Sequence, residues 1–123
     1  MIRAYVPSTL PQVIAWYEAA AIPAGTAINA VTDALRAQNA DAEDEELEFL
    51  ATKAAQETST VAAMTSGHRR ATVAVDVGEE QAAIVPGGLT SMTLLDDVPL
   101  SLWAALFVDD LEWYAVAEIP HLR

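Results

Sequence analysis

Hydrolysis needs a base beside a nucleophile, and this chain offers His68 and His121 for the first role and Ser8, Ser66 and Ser91 for the second. Their spacing does not assemble them. There is no Gly-x-Ser-x-Gly elbow to expose a serine and no His-Glu-x-x-His pair to hold a metal-bound water. His68 follows Ser66-Gly67, a helix stop, where an imidazole complements the negative end of the helix dipole. His121 sits in the C-terminal tail. No residue is assigned a catalytic role on this pattern.

Carboxylates are abundant enough to suggest a cation site. Six of the eight residues from Asp41 to Glu48 are acidic. A calcium loop needs Asp at alternate positions and a glycine at the sixth, and this block, with Glu43, Glu45 and Glu46 there, has neither. Helical spacing also splays its side chains around an axis. The block reads instead as the charged entrance to a helix, where carboxylates meet unpaired N–H groups and the positive end of the dipole. Asp96-Asp97 and Asp109-Asp110 flank one strand, which sets the two pairs ~30 Å apart, so they read as turn residues. Neither a metal nor a cofactor is expected.

Anion binding rests on His68-Arg69-Arg70, the one positive cluster. Adjacent residues on a strand alternate faces, so the three do not converge on one ligand. One further constellation depends on topology. If the first and last strands are neighbours, Tyr5, Ser8, Thr9, Tyr114, Glu118 and His121 gather at one sheet edge and form a ligand-binding or hydrolytic site between the first helix and the terminal strand.

The elements that must position these residues follow from periodicity. Ile2, Ala4 and Val6 alternate with Arg3 and Tyr5, a first strand. Thr9-Leu10-Pro11-Gln12 has the form of a capping box, and Leu10, Val13, Ile14 and Tyr17 continue at helical spacing to about Ala20. Thr26 to Val31 has strand character, and Thr32 caps a short helix through Arg36. Asp41 is the expected N-cap of a long helix that runs to about Thr65. On that helix Leu50, Ala51, Ala54, Val61 and Ala62 lie within about 60° of Leu47 and form the expected core stripe. Phe49, Lys53, Gln56, Thr60 and Met64 fall opposite, and Phe49, Lys53 and Met64 mark an expected interaction face.

Val73, Val75 and Val77 alternate with Thr72, Ala74 and Asp76, the pattern of a half-buried strand. Ser91 to Leu95 is a strand. Leu100 to Val108 suits either a helix or a buried strand. Leu111 to Glu118 alternates as a final strand before Pro120. Strands and helices in this order predict an α+β fold, a mixed, mostly antiparallel sheet with helices packed on one face.

The 123 residues are the length of one domain, and 1–123 is taken as such. Six basic residues face 18 acidic ones for a net charge of -12, which repels nucleic acid and anionic membranes at long range and attracts a basic protein. Absence of cysteine removes disulfides and thiolate chemistry and fits a cytoplasmic protein. The start, Met1 to Pro7, lacks the basic region and long apolar stretch of a signal peptide. The apolar run from Leu102 to Val108 is far short of the ~20 residues that span a bilayer.

Tyr5-Val6-Pro7-Ser8-Thr9 at one end, and Trp113-Tyr114-Ala115 with Glu118-Ile119 at the other, resemble the Y-V-P-[AS]-T opening and W-Y-A…E-I close of a family of small actinobacterial proteins of unknown function. Pro23-Ala24-Gly25, Ala30-Val31-Thr32, Glu45-Glu46-Leu47-Glu48 and Val98-Pro99-Leu100 leading to Val108-Asp109-Asp110 extend the resemblance over most of the chain. The resemblance implies a strand for the ambiguous segment before Val108. Many relatives carry an acidic, Ala-rich insertion after the position of Asp110 that this chain lacks, which implies a tight hairpin here. It implies no activity, cofactor or catalytic residue. The sequence therefore points to a small acidic protein that acts through a protein partner or self-association, as a homo-oligomer, with a small-ligand or hydrolytic site as the alternative.

Overall fold

The computed structural model describes residues 1–109 and 112–122. Asp110 of the expected turn, Leu111 at the expected start of the last strand and Arg123 of the tail lie outside them. Three helices, α1 (Leu10–Ala19), α2 (Asp33–Gln38) and α3 (Asp44–Ser66), pack around nine strands. The strands are β1 (Ile2–Thr9), β2 (Ala21–Ile22), β3 (Ala27–Ala30), β4 (Arg70–Val77), β5 (Ala82–Ile84), β6 (Ser91–Leu94), β7 (Val98–Pro99), β8 (Trp103–Val108) and β9 (Glu112–Tyr114). Seven of them form one sheet in the order β5-β6-β3-β1-β4-β8-β9, and β2 and β7 form a second, two-stranded one. Every ladder in both sheets is antiparallel. The α+β class and antiparallel sheet match the sequence expectation.

Strand alternation assigns the two faces. Ala4 and Val6 of β1 lie opposite Val75 and Val73 of β4, while Tyr5 lies opposite Ala74. Ala4, Val6, Val73 and Val75 join Leu10 and Val13 of α1, Ile22 and Val98 of the small sheet, and Ile119 in one core. Tyr5 and Ala74 join Ala51 and Ala55 of α3 in another. The helices, expected on one face, thus divide between two. The reason is visible in β4: Thr72 and Ala74 are as buried as the valines between them, so both faces need a cover. The alternation with Val73, Val75 and Val77 predicts Thr72 and Ala74 on the solvent side of a half-buried strand, and their burial corrects that expectation.

α3 shows how the cover is built. Its buried residues are Leu47, Ala51, Ala55 and Ser59, four apart. Each step of four advances about 40° around a 3.6-residue helix, so the contact line winds across the twisted sheet instead of running straight. A fixed stripe about Leu47 therefore fails toward the C-terminus, and Val61, expected in the core, is 64% exposed. Ser59 takes the buried place. Its hydroxyl accepts the Ala71 N–H at 3.0 Å and reaches the carbonyls of Ser8 and Ala71. It thereby bridges β1 and β4 from the helix above.

The helix ends depart from the expected caps in two places. Glu43, not Asp41, is the N-cap of α3, and Thr9 precedes α1 without a side-chain capping bond. There the backbone supplies the partner, because the Leu10 N–H bonds to the Arg69 carbonyl at 2.8 Å. Thr32 does cap α2, accepting from the Leu35 N–H at 3.2 Å. Gly67 ends α3 in the left-handed region at φ +76°, as the Ser66-Gly67 stop predicts. The ambiguous 100–108 segment divides into a 3-10 turn at Leu100–Leu102 and then β8. The final strand is shorter than expected: β9 ends at Tyr114, and Val116–His121 is a 3-10 turn that buries Ile119. Burying Ile119 in the α1-side core takes the chain off the sheet edge before the alternating pattern runs out.

Candidate functional site

Tyr5 lies under α3 and donates from its hydroxyl to Glu48 Oε2 at 2.8 Å. Burial, together with the hydrogen bond to that carboxylate, pushes its phenol up to about 12. At neutral pH it is a fixed donor tying β1 to the helix. Arg3 and Asp76, opposite each other in the β1–β4 register, pair on the same face at 2.6 Å. Ser8 is buried, its carbonyl taken by Ser59.

Tyr114 is on the other face. Its row runs through Leu106, Val73 and Val6, all in the core beneath α1. Its hydroxyl donates to Glu112 Oε2 at 2.9 Å, and that bond raises its pKa. Beside it Arg69 pairs with Asp109 at 2.7 Å and with Glu112 at 3.7 Å. The hydrogen bond to Asp109 holds the Arg69 guanidinium even more firmly charged. Glu118 is exposed and accepts the Ala115 N–H at 3.2 Å, and His121 is exposed at the end of the 3-10 turn.

The six residues proposed to converge therefore do not meet. β4 and β8 stand between β1 and β9. Tyr5 faces α3, while Tyr114 and its carboxylate neighbours face the α1 side. Among the described residues, no three or more His, Cys, Asp or Glu side chains come together as a metal site would require. No described helix is long and apolar enough to cross a membrane.

Two clefts remain. One, of about 470 Å³, lies where the α2–α3 connection meets the first turns of α3 and is lined by Asn39, Ala42, Glu45, Glu46, Phe49 and Leu50. Phe49 is 63% exposed there. Lys53 is exposed one turn on, and Met64 is 80% exposed near the far end of the helix. Fifteen residues separate Phe49 from Met64, about 22 Å along the axis, so they are not one patch. The second cleft, of about 540 Å³, lies between α1, the Gly67–Arg69 segment and Leu122. In the sequence, Leu10, Pro11 and Ile14 read only as parts of a helix and its cap, not as a site, although Leu10, Ile14 and Glu18 recur four apart and Pro11 and Ala15 sit beside them.

Neither of these two clefts has a hydroxyl or thiol nucleophile beside a base among its described lining residues; both combine apolar walls with a few charged groups. The model of a family described as a family of unknown function (DUF6912) matches residues 2–112. The chain belongs to that family. A family of unknown function is what the sequence resemblance implies, and in this DUF6912 chain the match runs from β1 to the start of β9, short of the Trp113-Tyr114-Ala115 and Glu118-Ile119 motifs. No curated protein and no solved structure matches it.

Proposed function

We propose that this protein is a non-enzymatic, cytoplasmic binding domain that docks a basic segment of a protein partner on the first turns of α3. The observation that carries the reading is Phe49, an exposed aromatic ring in a 470 Å³ cleft whose rim holds Glu45 and Glu46. An arginine or lysine fits such a place. Its aliphatic stem lies on Phe49 and Leu50, its charge pairs with the carboxylates, and the ring face adds a cation–π contribution. The net charge of -12 steers a basic segment toward the site and sets two copies of the chain against each other. A heterologous basic partner is therefore favoured over self-association.

Fluorescence anisotropy tests the reading with short labelled peptides, one Arg/Leu-rich and one Glu/Leu-rich. The basic peptide binds, the acidic one does not, and binding weakens with salt. Phe49→Ala and the double substitution Glu45→Gln/Glu46→Gln each weaken it by about tenfold, the scale of one lost aromatic or ionic anchor. Equal binding of both peptides, or indifference to Phe49→Ala, refutes the proposal.

A further inference from the structure

We infer that the outer edge of β5 accepts an extended segment of a protein partner, one of whose lysines or arginines enters a cleft lined by Asp33 and Glu79. β5 is an end strand of the seven-stranded sheet. On its inner side the Leu95 N–H bonds to the Gln81 carbonyl at 2.8 Å, and the Val85 N–H to the Ser91 carbonyl at 3.0 Å. Bonds in an antiparallel ladder alternate along a strand, so Ile84, opposite Met92, turns its N–H and carbonyl outward. Pro86 has no N–H to give, which centres an added strand on Ile84. The residue that pairs with Ile84 sets its side chain on the same face, with the two Cβ atoms about 5 Å apart.

Ile84 lines a cleft of about 200 Å³ together with Ile2, Ala82, Met92 and the exposed carboxylates Asp33 and Glu79. That volume is below the ~300 Å³ at which small-molecule sites begin, and it suits one long side chain. The charge of that side chain follows from the two carboxylates. Among the described residues, neither the Asp33 nor the Glu79 side chain has a hydrogen-bond or ion-pair partner. Arg36, one turn along α2 from Asp33, is taken by Asp44 at 3.0 Å. From Ala71 to Leu122 the chain contains no lysine or arginine. A lysine or arginine lays its methylenes on Ile84 and Met92 and brings its charge to both acids. A second copy does not fit this edge, because β5 against β5 brings the Glu79-Glu80 pairs of both copies to one interface and supplies no cation.

Fluorescence anisotropy on the full chain tests this with a labelled Thr-Val-Lys-Val-Thr peptide and three relatives. Two of these carry norleucine or glutamate in place of the lysine, and the third keeps the lysine but has its amide nitrogen methylated. The parent binds tightest, and each relative is weaker by about tenfold or more, one decade in Kd. Norleucine removes the charge, whereas methylation removes the N–H that pairs with Ile84 and leaves the charge in place. The double substitution Asp33→Asn/Glu79→Gln, at two exposed positions, weakens the parent about as much as norleucine does. On the unmodified chain, NMR amide shifts induced by the parent peptide fall on Asp33 and on Ala82 to Val85. Equal binding of the lysine and norleucine forms, indifference to methylation, or no binding of any peptide each overturns the inference. Should the double variant fail to fold, the peptide series and the shift map on the unmodified chain decide. The site on α3 is judged separately, because the two clefts lie at opposite ends of α2, one at Asp33 and the other at Asn39. Shifts centred on Phe49 alone would sink the β5 site and leave the α3 site standing.

Discussion

At the scale of single residues, Ser59 and Tyr5 matter most, and both act as donors at the sheet–helix contact. Ser59→Ala removes the hydroxyl and strands the Ala71 N–H and the Ser8 carbonyl in a dry interface. The expected loss is about 1–3 kcal/mol in a urea-unfolding measurement, the usual penalty for an unmet buried polar group. Ser59→Cys, which keeps the volume but donates weakly, falls between the two. Tyr5 yields a pH signature. Its folded pKa of about 12 lies above the ordinary 10.0, so between those values the unfolded chain sheds the proton and the folded chain keeps it. Stability is therefore whole below pH 10 and declines as pH rises toward 12. Tyr5→Phe removes that part of the decline, which unfolding curves collected across this window detect. Neither role was legible from residue type alone. A serine in a stripe of alanines and a tyrosine in a strand acquire partners only when helix and sheet are set face to face.

At the scale of elements, most of the secondary structure was readable and the burial was not. Helix α3 and its glycine stop, β1, β4 and the Thr32 cap all follow from local pattern. The alternation in β4 does not reveal burial, because a strand with helices on both sides buries small residues such as Thr72 and Ala74 as fully as valine. A straight stripe on α3 does not predict its buried residues, because contact at every fourth residue winds around the helix. The two ends of that helix therefore respond differently to substitution. Leu47→Ala empties a buried site and costs about 2–5 kcal/mol, whereas Val61→Lys, at a position 64% exposed, changes stability by less than about 0.5 kcal/mol. Thermal or urea unfolding of the two variants checks the pair. Equal effects would place Val61 back in the core.

At the scale of the whole molecule, strand order decided what the sequence could say about a site. The candidate set Tyr5, Ser8, Thr9, Tyr114, Glu118 and His121 presumed that the chain ends are neighbours, yet the central position of β1 puts β4 and β8 between them. Order in an antiparallel sheet is settled by long-range pairing, which no local pattern encodes. The charge, by contrast, was legible in full. With 18 carboxylates against six basic groups the folded chain repels itself, so raising the salt concentration from low to physiological values is expected to raise the melting temperature. A calorimetric scan at two ionic strengths checks this, and a flat or falling trend would assign the stability to paired charges such as Arg3–Asp76 instead. The bridge made by Ser59 reaches furthest at this scale. Because a helix hydroxyl holds the Ala71 amide within the β1–β4 pair, that proton cannot exchange with deuterium until α3 lifts away. Its exchange rate thus reports detachment of the helix, and the central strands and α3 are expected to open as one cooperative unit, not as separable layers.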